Sequence, residues 1–446
     1  ACPVDGWLTL GAGNWATGAT GATDGCVAWD EVVETPDATS AFLPHQAAWV
    51  RYNGRELPWG AVPGTLAGSV RCTVAVGQKA AVAAARSYGG VDWYVARLPV
   101  RQEDASALLA RCVLGIVDLG TVSGSGSRRD AAVRRVDVAL GQVMAARPAN
   151  SVLLVAGVAD RGTDPGLHVA VAEGPGLTTG WLTSASTGRA GLLQLVDLAP
   201  TAVTVLGRPP PEPGRLAGHV AYAAAGRPDD LAEAVQIMVA TEQEAAGTAA
   251  VTGWFLAALT VGQLLLFTAV VPLLRRPWRS AQGRWRPVAP VLLVAAVLLV
   301  PAALAAGVIP WWQTAAGAAL FVTLVALVVS ALTAAVVLTP LFRHTLAVVG
   351  TCAALAAAVV AVDLLARSQL QLNGVVGYSA HDGVRFAGIS AAGLGALTAG
   401  VLLTAGVLAQ QVPRRWRPAV VVALGGLGVV LAGSPYLGAD PAAAMA

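Results

Sequence analysis

Residues 251–274, VTGWFLAALTVGQLLLFTAVVPLL, run for 24 positions without a charged side chain. At about 1.5 Å of rise per residue such a helix crosses the roughly 30 Å hydrocarbon layer of a bilayer. Five further long apolar windows follow, at about 288–309, 314–339, 345–366, 387–410 and 418–433, with Asp363 the one charged residue in them and each flanked by Arg, Trp or Pro. A single soluble globule would not carry so many. The second half of the chain therefore reads as an all-α transmembrane domain of about six helices over 251–433, followed by a C-terminal tail over 434–446.

Charge sets the orientation. Arg275, Arg276, Arg279, Arg284 and Arg286 fill the loop after the first span, Arg343 lies in the third loop, and Arg414, Arg415 and Arg417 in the fifth. The loops between them carry little charge. Cytoplasmic loops are enriched in Arg and Lys, so the odd loops are expected inside, and residues 1–250 and the C-terminus outside. Trp285, Trp311, Trp312 and Trp416 fall where interfacial anchors sit. The lipid bilayer is thus the first expected partner, and the location is a multi-pass protein of the cell membrane with residues 1–250 extracytoplasmic.

The rest of the composition narrows the class. The chain has 446 residues and a net charge of +3, with Lys79 its only lysine. No basic stripe interleaved with aromatics appears, which excludes nucleic acid as a partner. Cys2, Cys26, Cys72 and Cys112 all fall before the spans and only Cys352 within one. Disulfides and buried thiols both fit the first four, and four cysteines allow three pairings. No Cys/His spacing points to zinc. An outer domain needs an export signal or an upstream anchor, so a chain beginning at Ala1 is expected to be a processed product or a fragment.

Ahead of the membrane, short apolar strands alternate with helical stretches. VRCTVAV (70–76), VLGIVDLG (113–120), SVLLVAGVAD (151–160) and LHVAVAEG (167–174) read as strands, while QEDASALLARC (102–112) and RRDAAVRRVDVALGQVMAA (128–146) read as helices. This alternation predicts an α/β domain with a mainly parallel sheet. Function in such sheets gathers at the carboxyl ends of strands, where Asp118 and Asp160 stand. The expected domains are 1–220, a linker or helix over 221–250, and the membrane part.

The runs IVDLG (116–120), VDVALGQVM (136–144), SVLLVAGVADRG (151–162), HVAVAEGPG (168–176) and LVDLAPTAVTVLGRPPPEPGRLAG (195–218) resemble, in order and spacing, the closing half of alkaline-phosphatase-superfamily domains. The phosphodiesterase and sulfatase branches are the most similar. The opening CPVDGWLTLGAGN (2–14) is similar to the turn and helix that follow the Thr nucleophile of the phosphodiesterase branch. The arrangement of such a domain before several helices, with a loop like QLQLNGVVGYSAHDGVRFAGIS (369–390), resembles uncharacterised polytopic membrane proteins of high-GC Gram-positive bacteria. Those relatives read closer to GYSP and GRFxGxGN in that loop, from which Ala380, His381, Ser390 and Ala391 depart.

The resemblance implies a three-layer fold, here incomplete because its first strand would lie upstream. It also implies two divalent metals, Zn or Mn, held by Asp and His around a Ser or Thr alkoxide. On that pattern the nucleophile position falls on Ala1, which has nothing to attack with. The family's Asp-His-Gly stands as Asp160-Arg161-Gly162, exchanging an imidazole ligand for a permanent cation. Asp118 and Asp160 are left as vestigial metal candidates. For Asp160 an acid paired with Arg161 or Arg189 at the strand end is the preferred reading over metal ligation. Asp5 is read as a helix cap or a substrate-binding residue, and Asp197 as the cap of the helix PTAVTVL.

The remaining motifs point away from catalysis. SGSGSRR (123–129) lacks the Walker ending, and TSASTGR (183–189) has hydroxyls but no neighbouring His in sequence. Asp363 near the end of its span is an intramembrane acid, functional by default, but its closeness to Arg367 points instead to an i,i+4 pair at the interface. GISAAGLGALTAG (388–400) and ALGGLG (423–428) read as close helix-packing faces. The expected function is an integral membrane protein with a catalytically degenerate phosphatase-like outer domain, not itself an enzyme, that binds or scaffolds an envelope lipid or polymer phosphate and needs no cofactor. Two alternatives accompany it: a metal-dependent envelope phosphodiesterase or phosphotransferase in a longer native form, and a transporter with an accessory outer domain.

Overall fold

The computed structural model describes residues 2–18, 26, 29–36, 39–160, 165–209, 214–275 and 288–439. Ala1, Arg161, Gly162, Arg276, Arg279, Arg284, Arg286, Trp285 and the tail residues 440–446 named above lie outside the described residues. The chain divides into two compact units, Ala1–Asp229 and Asp230–Ala446.

The first unit is built around α1 (Pro3–Ala12) and small sheets. Pro3 occupies the first helical turn, where its missing N–H costs nothing, and Gly13 ends the helix in the left-handed conformation with φ of 59°. Val4, Leu8 and Ala12, one turn apart, bury the inner face. They pack with Leu43, Trp49, Ala61 and the alanine-rich α4 (Gln78–Ala84). Gly11 makes this approach possible, because a Cβ there would press on the Ala83 backbone. Between α1 and α4 lie β1 (Val33–Glu34), β2 (Ala41–Phe42), α2 (Gln46–Arg55), α3 (Thr65–Gly68) and β3 (Thr73–Val76).

β3 is buried on both faces, as a central parallel strand requires. It pairs in parallel with β5 (Trp93–Val95) on one side and β6 (Leu114–Val117) on the other. β4 (Gly90–Val91) joins β2 and β1 in an antiparallel sheet. α5 (Gln102–Leu109) and α6 (Ser127–Ala146) follow as expected, α6 burying only Ala132, Val143 and Ala146. The sheet departs from the expected one. β7 (Leu153–Ala156) and β8 (Ala170–Glu173) pair antiparallel, as do β9 (Trp181–Thr183) and β10 (Tyr222–Ala224), with α7 (Leu198–Val205) between the last two. Among the described residues the parallel part is thus the three strands β5-β3-β6.

The second unit begins with α8 (Leu231–Arg275), a single helix that takes up most of the expected linker over 221–250. It continues with α9 (Val288–Ala305), α10 (Gly317–Val337), α11 (Thr345–Leu365), α12 (Ala391–Gln411) and α13 (Arg417–Gly433). All six described helices are long and apolar enough to cross a membrane, and the chain is a multi-pass integral membrane protein in contact with the bilayer. α9 is the most enclosed, Leu298, Ala302 and Leu304 being buried, and Phe321, Val325, Val360, Leu364 and Leu397 of its neighbours complete the core. α11 and α12 meet through small residues: Gly400 lies against Ala353 and Ala357, and Gly350 against Val407. This close approach is the packing expected of the glycine-rich row at 388–400.

Candidate functional site

Asp118 follows β6, its backbone N–H extending the ladder to the Val76 carbonyl. Its Oδ2 lies 3.5 Å from Lys79 Nζ and its Oδ1 accepts from the Gly120 N–H at 2.9 Å. Lys79 also donates to Thr121 Oγ1 at 2.8 Å and stands 5.8 Å over the Trp29 ring. Gly77, at φ of +94°, turns the chain from β3 into α4 where a Cβ would come within 3.0 Å of Asp118 Cβ. The sole lysine of the chain is therefore the partner of this carboxylate. Nothing in the sequence pairs the two, since 39 residues separate them and only the parallel register of β3 and β6 brings them together.

Asp160 is paired neither with Arg189 nor, among the described residues, with another cation. Its Oδ1 lies 3.0 Å from His168 Nε2. The antiparallel register of β7 and β8 brings the two together, and Gly157 allows it, since a Cβ there would strike the His168 ring. Gly6 of α1 packs directly on the Val158 carbonyl, so the first turn of α1 adjoins the segment leading to Asp160. Asp5 in that turn acts as a clamp: it accepts from the Cys2 N–H at 3.3 Å, Thr17 Oγ1 at 2.9 Å and the Gly18 N–H at 2.8 Å. Among the described residues no group of three metal-ligating side chains gathers.

Two acids not singled out for this role organise the rest of the unit. Asp30, its side chain fully buried, accepts from the His45 N–H at 3.0 Å and lies 2.6 Å from His45 Nδ1, which raises the pKa of the exposed imidazole above its usual 6.5. Asp197 does not cap α7; its carboxylate turns back into the protein. Oδ2 accepts from Ser184 Oγ at 2.7 Å and the Gln194 N–H at 2.9 Å, while Oδ1 accepts from Ser186 Oγ at 2.5 Å and the His219 N–H at 2.8 Å. His219 Nδ1 completes the cluster, 3.0 Å from Ser186 Oγ. The expectation that TSASTGR has no histidine beside it fails because β9 and β10 bring residue 219 to the turn.

This cluster is not a hydrolytic triad. The aspartate holds the serine rather than the imidazole, and the Ser186 N–H is already engaged by Ser184 Oγ. With its hydrogen on Asp197, Ser186 accepts from the Nδ1–H of His219.

All four cysteines of the first unit are paired, Cys2 with Cys26 and Cys72 with Cys112, while Cys352 is a buried thiol in the second.

In the second unit Asp363 is buried, and its carboxylate forms no pair with Arg367. Oδ1 accepts from the Leu370 N–H at 2.7 Å and Oδ2 from Gln371 Nε2 at 3.1 Å. Gln371, fully buried, passes the connection to the Ser390 N–H at 2.5 Å, and Ser390 caps α12 through the Gly393 N–H at 3.0 Å. Asn373 accepts from Thr248 Oγ1 of α8 at 2.7 Å, and His381 Nε2 lies 3.1 Å from Glu242 Oε2 of the same helix. Gly374 and Gly377 allow the tight turn, since a Cβ at either would collide with the Leu370 or Gln371 carbonyl. The loop at 369–390 is thus a hydrogen-bonded cap on α8, α11 and α12. Ser390 and His381 are themselves part of the network.

No family model, curated protein or solved structure matches this chain.

Proposed function

We propose that this membrane protein carries residues 1–229 on the extracytoplasmic side as a phosphatase-like but catalytically degenerate domain that binds or scaffolds an anionic component of the cell envelope. The observation that carries the reading is the Lys79–Asp118 pair at 3.5 Å, because an ammonium on a strand-end carboxylate competes directly with a divalent metal. The two disulfides support the placement, since such bonds persist in oxidising compartments, and the arginine-rich odd loops point the same way. The test is hydrolysis of bis-p-nitrophenyl phosphate with Mn²⁺ or Zn²⁺ by this chain in nanodiscs. No metal-dependent turnover is expected; turnover that rises with metal and falls in Asp118→Asn would overturn the reading.

A second reading, a metal-dependent phosphodiesterase in a longer native form, is favoured by one observation. Asp160 and His168 are both metal-ligand types, lie 3.0 Å apart and adjoin the first turn of α1. They fit one half of a Zn²⁺ or Mn²⁺ site. Metal-dependent hydrolysis by the longer protein, lost in His168→Ala, would decide for it.

A further inference from the structure

The seam between α12 and α13 is closed in its middle and open at one end. Val401 of α12 lies on Gly428 of α13, where a Cβ would rest 3.4 Å from the valine methyls, and Leu431 and Ala432 carry the contact on into the core. The two helices are consecutive, joined by residues 412–416 and packed side by side, so they run antiparallel. Seven residues are about two turns, so counting seven from each contact residue toward the connection gives Leu408 and Val421 on the same two faces. Leu408 is nevertheless 40% exposed and Val421 45% exposed. Gly425, between Val421 and Gly428, has nothing within 4 Å of where a Cβ would stand, and neither has Gly426. Of the glycines in ALGGLG only Gly428 is therefore used for close packing, and the seam flares into an apolar cleft toward the connection.

Three arginines stand at the mouth of this cleft. Arg414, Arg415 and Trp416 form a 3₁₀ turn after Pro413, closed by the Trp416 N–H on the Pro413 carbonyl at 2.8 Å, and Arg417 is the first residue of α13. Side chains three apart on such a turn eclipse, which puts Arg414 and Arg417 on one side. Arg417 is also four residues before Val421, hence one turn above the cleft wall. All three arginines are exposed, and none forms an ion pair among the described residues. The chain has no Asp or Glu from 245 to 362 or from 383 to 439. Asp363, Asp382 and the glutamates of α8 stand toward the opposite end of the helices, where His381 meets Glu242. The mouth is thus cationic and its interior apolar.

We infer that this cleft is a binding site for an anionic phospholipid, with the phosphate between Arg414 and Arg417 and an acyl chain lying along Leu408, Val421 and Gly425. Guanidiniums take phosphate oxygens in bidentate fashion, and basic sites between spans at the membrane surface take acidic headgroups. A second copy of the chain fits less well. Packing α13 on α13 in the same orientation would bring six unpaired guanidiniums together with no carboxylate at that end to offset them. The inference goes beyond the envelope-binding reading above and does not rest on it.

The experiment is native mass spectrometry of the full chain in detergent micelles, titrated with dioleoylphosphatidylglycerol as the anionic probe or dioleoylphosphatidylcholine as the zwitterionic one. For the first lipid bound, wild type is expected to prefer phosphatidylglycerol about tenfold, and Arg414→Gln/Arg417→Gln to bring the two lipids within about twofold of each other. Gly425→Leu keeps every charge, and its side chain enters open space, so it folds with the helix contact at Gly428 intact. By filling the cleft it should weaken phosphatidylglycerol about fivefold, and it decides the matter alone if the arginine variant fails to insert. Equal affinity for the two lipids in wild type, or a preference that survives Arg414→Gln/Arg417→Gln, overturns the site. So does Gly425→Leu without effect on phosphatidylglycerol, which would leave only a surface attraction to anionic headgroups. A two-chain mass that Gly425→Leu converts to one chain overturns it in favour of a second copy.

Discussion

His219 Nδ1 lies 3.0 Å from Ser186 Oγ, and that hydroxyl lies 2.5 Å from a buried carboxylate oxygen of Asp197. The single hydroxyl hydrogen goes to the stronger acceptor, the carboxylate, so the imidazole must be the donor in the other bond. His219 is therefore expected in the Nδ1–H tautomer, visible in long-range ¹H–¹⁵N correlation spectra. Ser186→Ala should release the ring to its ordinary mixture and cost about 1 kcal/mol. Asp197→Ala leaves four donors without their acceptor and should cost about 3 kcal/mol or more in chemical denaturation.

The Asp30–His45 pair gives the first unit a pH dependence of known sign. The folded pKa of His45 is raised by the hydrogen bond and charge of Asp30, so its contribution is fully present below the unfolded value near 6.5 and is lost as pH rises through the higher folded value. Thermal unfolding should therefore show a stabilising contribution on the acidic side of neutrality that His45→Gln removes. A mutant that keeps the same pH slope would refute the assignment.

Reduction of the two disulfides should lower the unfolding midpoint. The loops they close, with sequence separations of 24 and 40, correspond to about 3–4 kcal/mol each in the chain-entropy account. Cys72→Ala/Cys112→Ala, which opens the longer loop, is expected to cost slightly more than Cys2→Ala/Cys26→Ala.

The cap over α8, α11 and α12 depends on Asp363 having two acceptor oxygens. Asp363→Asn retains one and should raise hydrogen exchange at Leu370 and Gln371 moderately, whereas Asp363→Leu, which leaves both donors buried without a partner, should open the whole segment 367–390. Equal protection in the two variants would show that the network does not hold the loop.

What was legible from sequence was whatever depends on local pattern. The membrane spans followed from uncharged length, and β3, β6, α5 and α6 from period and composition. What remained hidden was side-chain partnership across the fold. Lys79 reaches Asp118 only through strand register, and His219 reaches Ser186 only through the pairing of β9 with β10. Asp363 and Arg367 show the opposite error: helical spacing suggested a pair, but α11 ends at Leu365 and Arg367 takes a left-handed φ of 66°, so the i,i+4 geometry does not exist. The antiparallel pairing of β7 with β8 was hidden as well, since thirteen residues, 157–169, separate the two strands and the alternation of strand and helix pointed to a parallel sheet.

α8 has one further implication. Its 45 residues make a rod of about 68 Å, and a bilayer core needs only about 30 Å of it. The surplus lies toward Leu231, where Glu233, Glu242 and Glu244 stand and where the loop segment bearing His381 is fastened alongside. A continuous helix of that length is a stiff spacer, so the point at which the chain leaves it is kept at a set height above the lipid. Shortening α8 by whole turns in its polar half would change that height in steps of about 5 Å without touching a single residue of the membrane core.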